Sequence, residues 1–196
     1  MQYFFTLRND LDCDSVKLCN PKEISLKPNG VIWATKYNFE YKDYNEWIDY
    51  LTSNTHILFF KNNIDLYNRK CFIFAFKEEA KILVINDSIT LNNLINKYNY
   101  NNNSIDFIAL SKDYDGYYID VINLLDDKNI NCNLKEMIKK YAINSLVLFN
   151  TNCIAYYYDA ILKIAPFDYE YFSSADIYYT IDSNNEKKFI GKSKSL

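Results

Sequence analysis

Apolar residues fall in short runs along this chain, and their spacing switches between the two-residue period of a strand and the longer period of a helix. Residues 2–7 read as a strand, and a polar loop carrying Cys13 and Cys19 follows. Pro28 and Gly30 mark a turn before a short apolar strand over residues 31–35. Asp43 then caps a helix to about residue 51, with Tyr44, Trp47, Ile48 and Leu51 on one side. Three runs of strand length come next, at residues 56–60, 71–76 and 81–85. Ser88 caps a helix through about residue 98, an Asn-rich loop covers residues 98–103, and a second short helix covers residues 104–112. A strand over residues 116–121, a polar loop, a helix over residues 133–141 and a strand over residues 145–149 complete the regular part.

Beyond Asn152 the pattern changes to clusters of tyrosine at 156–158, 169–172 and 178–179. There is no internal repeat and no linker long enough to divide two domains. The order of elements predicts an α+β fold over residues 1–155, with a Tyr-rich extension over residues 156–196 packed on the same body. Those tyrosines serve either the core or a partner surface, since Tyr offers large contact area at modest entropic cost.

Residues 27–35, Lys-Pro-Asn-Gly-Val-Ile-Trp-Ala-Thr, and the segment around Trp47 hold both tryptophans of the chain. This unit reads either as a hairpin anchored by two large aromatics or as the wall of a ligand pocket.

Composition narrows the function classes. The 196 residues are 49% hydrophobic, enough to bury a core, and 3 Gly with 3 Pro make a turn-dense all-β repeat a poor fit. A formal charge of −3 disfavours non-specific nucleic-acid binding. Lys187, Lys188, Lys192 and Lys194 read as a solvated, frayed end. No apolar run approaches the ~20 residues of a membrane span and no leader pattern opens the chain, so it reads as soluble and cytoplasmic. Five scattered cysteines, with no Cys-x-x-Cys pair, read as reduced and mostly structural.

Several chemistries are missing. The single histidine, His56, lies in an apolar run, so His-based metal sites are not expected and a His-dependent triad has little support. The glycines stand alone at positions 30, 116 and 191, which removes Walker and dinucleotide loops. What is left is a set of charged residues at strand ends. Arg8 closes the first strand, as a surface ion pair with Asp10 or Asp12 or as a fork for phosphate or carboxylate. Asp115 enters the 116–121 strand within Tyr-Asp-Gly-Tyr, as turn chemistry or as a functional carboxylate, and Asp120 lies within that strand on its opposite face.

The order of these motifs resembles that of small bacterial and phage proteins with an ADP-ribosyltransferase-like fold. The features that carry it are the Lys27-Pro28-Asn29-Gly30-Val31-Ile32-Trp33-Ala34-Thr35 stretch, the Trp47 helix, the Tyr114-Asp115-Gly116 strand and the closing strand from Ser145 to Asn150. The resemblance implies a split, twisted β-sandwich with peripheral helices and NAD, as substrate, in its cleft. Arg8 and Asp115 would be the catalytic residues, with Arg8 also on an NAD phosphate or ribose. Thr35 would support the pocket floor, and Trp33 with Tyr37 or Tyr44 would stack on nicotinamide. ADP-ribose would pass to a macromolecular target, with the carboxylate stabilising the oxocarbenium-like centre. The family's late glutamate has no clear counterpart here. Two other readings stay open: a non-catalytic phage-type inhibitor, of the anti-defence or anti-CRISPR kind, that binds a host protein, and a module that traps NAD or a related signal without turnover.

Overall fold

A computed structural model describes residues 2–8, 11, 16–37, 46, 69–100, 104–163, 177–182 and 187–192. In chain order the elements are β1 (Tyr3–Thr6), β2 (Ile32–Tyr37), β3 (Arg69–Phe76), β4 (Ile82–Ile85), α1 (Ser88–Lys97), β5 (Asn99–Tyr100), β6 (Ser104–Ile105), α2 (Phe107–Asp113), β7 (Gly116–Ile119), α3 (Val121–Asp126), α4 (Cys132–Lys139), β8 (Ser145–Leu148), β9 (Ile154–Lys163), β10 (Ile177–Asp182) and β11 (Lys187–Lys192). The fold is mixed α+β. The expected helix over residues 43–51 and strand over residues 56–60, with Tyr44, Trp47 and His56, lie outside the described residues, Glu46 apart.

The chain forms two compact units. The first draws on Met1–Asn9, Ala34–Ala75 and Ala155–Leu196, the second on Asp10–Trp33 and Phe76–Ile154.

In the first unit the strands follow the order β11-β10-β9-β3-β1-β2. Strand β1 is antiparallel to both its neighbours, with Phe5 opposite Thr35 on one side and Ile73 on the other. Phe4 stacks on Phe74 at 5.9 Å and Phe5 on Tyr37 at 6.4 Å between centroids, so aromatic pairs fix the register of this central strand. Of the segment expected to be a frayed basic tail, Lys187–Lys192 form strand β11, paired antiparallel with β10 from Ile177 opposite Lys192 to Ile181 opposite Lys187, and Lys194 lies outside the described residues. A ladder of backbone hydrogen bonds orders it where side-chain charge alone suggested solvation.

The second unit is built on β8-β7-β4, with β7 parallel to β4 and antiparallel to β8. The parallel pair needs a crossover, and α1, the β5–β6 hairpin and α2 supply it. Leu91, Leu94, Phe107, Leu110, Tyr117 and Phe149 are among the residues of its core. Gly116 lies where a Cβ would come within 2.3 Å of the Val147 carbonyl oxygen, which explains a glycine at the start of β7.

Helix starts depart from the sequence reading in a consistent way. Asp87, not Ser88, caps α1, because its extended backbone lets the carboxylate accept the Thr90 N–H at 2.7 Å. The second helix begins at Phe107 behind Asp106, while Ser104 and Ile105 pair with Asn99 and Tyr100. Part of the expected Asn-rich loop is therefore a hairpin. Asp120 is not inside β7: it caps α3, a helix missed because Val121 and Ile122 are β-branched and prolong the strand pattern. No described helix is long and apolar enough to cross a membrane.

Candidate functional site

The site is a loop held against the second unit. Cys19 and Asn29 exchange both backbone hydrogen bonds, at 3.2 and 3.3 Å, and so close residues 20–28 into a compact loop. Gly30 then turns the chain at φ 68°, with the Lys17 carbonyl oxygen 1.9 Å from where a Cβ would stand. Only glycine fits this closure.

Each shoulder of the loop is fastened to a distant element. The Asn20 side chain donates to the Asp106 carboxylate at 2.9 Å, and its own oxygen accepts the Phe107 N–H at 2.8 Å and the Ile108 N–H at 3.3 Å. It therefore acts as a second cap on α2. The Ser25 N–H donates to the Ser104 hydroxyl at 3.1 Å, and Leu26 is buried in the core. The Leu26 carbonyl accepts from the Tyr141 hydroxyl and, at 3.4 Å, from the Tyr117 hydroxyl, and the two phenols lie 2.8 Å apart. Burial raises the pKa of both phenols.

Between these anchors lies an open groove of about 670 Å³, lined by residues that include Asn20, Lys22, Ile24, Lys27, Trp33 and Lys140. The Lys27 ammonium sits 4.9 Å above the Trp33 ring centroid and 5.3 Å from that of Tyr141, and it donates to the Lys140 carbonyl at 2.8 Å. Trp33 meets Tyr141 edge-on at 5.8 Å. Burial lowers the Lys27 pKa from its ordinary value, while the two ring faces favour the cation. The groove is thus a preformed concavity with fixed positive charge.

The sequence-derived candidates fall in both units. Trp33 and Asp115 belong to the second unit; Arg8, Thr35 and Tyr37 belong to the first. Arg8 lies beyond the end of β1 and is partly exposed. Thr35 and Tyr37 are buried, Tyr37 against Phe5, and burial, then the Cys71 charge, pushes the Tyr37 phenol up to about 12. Tyr44 lies outside the described residues.

Asp115 holds strand ends together. Its carboxylate accepts the Lys81 N–H at 2.9 Å and the Asn150 side-chain amide at 3.0 Å, one bond to each oxygen. Its backbone N–H donates to Lys81 and its carbonyl accepts from Phe149. Asn150 and Asp115, two of the motif positions quoted from the sequence, are thereby brought together. Asn20, Lys27 and Lys140 were missed as site residues. Asn20-Pro21 is a turn signal, and Lys27 stands in the quoted motif, but nothing near Lys140 in sequence marks it.

Searches of family models, curated proteins and solved structures found no match to this chain.

Proposed function

We propose that this chain is a non-catalytic binding protein, with an ADP-ribosyltransferase-like fold used without turnover, that engages a macromolecular partner through the groove of its second unit. The observation that carries this reading is the Asp115 carboxylate, whose two oxygens each accept a structural hydrogen bond. Both bonds tie strand ends together, so the carboxylate already has a structural task. The anchored loop supports the same reading, because a preorganised groove binds without first ordering itself.

A second reading, transfer of ADP-ribose from NAD by Arg8 and Asp115, rests on the order of the motifs in the sequence.

Incubation with labelled NAD, with and without a cell lysate, separates the two. The binding reading expects neither nicotinamide release nor label on any macromolecule. Release or labelling that is abolished by Arg8→Ala and by Asp115→Asn, with circular dichroism unchanged, overturns it in favour of the transferase.

A further inference from the structure

We propose that the groove takes an acidic, extended segment of a partner protein; this rests on the binding reading above and names its ligand class. Charge gives the first argument. The chain carries a net −3, yet among the described residues the charged ones lining the groove are three lysines, Lys22, Lys27 and Lys140, and Glu23. The local field therefore opposes that of the whole molecule and selects for an anionic ligand.

The geometry of Trp33 decides between anionic ligands. A nucleotide base needs an open aromatic face to stack on, and the Trp33 face beneath the Lys27 ammonium, 4.9 Å from the ring centroid, is already taken. Trp33 serves here as the seat of a cation, and that cation presents its charge to the groove. The ammonium has donors beyond the one it gives to the Lys140 carbonyl, so a carboxylate can bind without displacing it.

The groove follows the loop from Cys19 to Asn29 and mixes charge with apolar contact. Ile24 is 55% exposed beside Lys22 and Glu23, and Pro21 and Pro28 also line the groove. An extended peptide turns alternate side chains to opposite sides, so acidic positions can meet the lysines while an apolar one meets Ile24. Neither a compact phosphate nor a buried cofactor uses such a surface.

The probe is a fluorescein-labelled, glutamate-rich peptide, titrated into the full chain and followed by anisotropy. In parallel, Trp47→Phe leaves Trp33 as the sole tryptophan, and its emission reports groove occupancy directly. Saturable binding is expected, weakened roughly tenfold or more by Lys22→Glu with Lys140→Glu and strongly reduced by added salt. The anisotropy measurement on the unmodified chain stands whatever Trp47→Phe does to folding. ADP and inorganic phosphate are titrated alongside. Saturable binding of ADP but not of the peptide overturns the peptide inference and leaves the binding reading intact. Peptide binding unaffected by the double charge reversal overturns the placement in the groove. Failure of peptide, ADP and phosphate alike removes both the inference and the groove as a binding site.

Discussion

The side-chain amide of Asn20 donates to the Asp106 carboxylate at 2.9 Å, across 86 positions of sequence. This contact joins the groove-forming loop to the start of α2, so binding surface and fold share one residue. Asn20→Ala is expected to cost about 1–2 kcal/mol, the range for losing a helix cap whose N–H groups are left unpaired. Urea denaturation measures it; a change below a few tenths would show that the contact carries no weight.

The same pair sets an acid limb. The Asn20 hydrogen bond, then the Ala109 N–H, holds the Asp106 carboxyl below its usual range. A carboxyl lowered by folding adds stability that is present above its unfolded pKa, about 3.9, and is lost as pH falls through the folded value. Asn20→Ala should therefore flatten the fall in stability on acidification below about pH 4, measured as midpoint against pH.

Gly30→Ala tests the loop closure. An alanine held at this φ costs about 1–3 kcal/mol from backbone strain alone, and its methyl group would collide with the Lys17 carbonyl. The expected result is a lowered unfolding midpoint together with lost groove binding. Full stability with full binding would mean that the loop closes in another way.

Tyr141→Phe should destabilise more than Tyr117→Phe. Removing the Tyr141 hydroxyl leaves the buried Leu26 carbonyl with only the 3.4 Å contact from Tyr117, at a cost of about 1–3 kcal/mol. Both phenols have pKa values raised by burial, so their contribution is full below the unfolded tyrosine value near 10 and is lost as pH rises from there toward the folded values. Ultraviolet titration should show both ionising only as the protein unfolds in alkali. Titration of either while the near-ultraviolet dichroism stays native would contradict the buried network.

The thiols should divide by position. Cys19 and Cys132 are exposed, whereas Cys71 and Cys153 are buried. Burial, then the Asp115 charge, pushes the Cys153 thiol up to about 12, leaving almost no thiolate near neutral pH. Iodoacetamide followed by peptide mass spectrometry should find Cys19 and Cys132 alkylated in the native protein, and Cys71 and Cys153 only after denaturation.

Strand positions were legible where apolar runs were short and bounded by turn residues. Residues 71–76, 81–85 and 145–149 recur almost unchanged as β3, β4 and β8. Helix starts were less so: Asp87 displaces the adjacent Ser88 as the cap of α1, and α2 starts at Phe107 behind Asp106 rather than at residue 104. Asp120 shows the limit most clearly. By pattern it continues a strand, but in the fold its carboxylate accepts the Asn123 N–H and turns the chain into α3. The site was half legible. Trp33 and the turn at Gly30 stand out in sequence, whereas the anchoring of Asn20 on α2 and the approach of Lys140 to the loop rest on tertiary contacts that local pattern cannot carry.

The loop divides its labour by position. Asn20, Ser25 and Leu26 fasten its shoulders, while Lys22, Glu23 and Ile24 stand exposed at its tip. Substitutions at the tip disturb no anchor, so the surface offered to a partner can change by single exchanges while the scaffold stays as it is. A protein built this way can follow a partner that is itself changing, and a library randomised at those three positions would explore new specificities without a search for new folds.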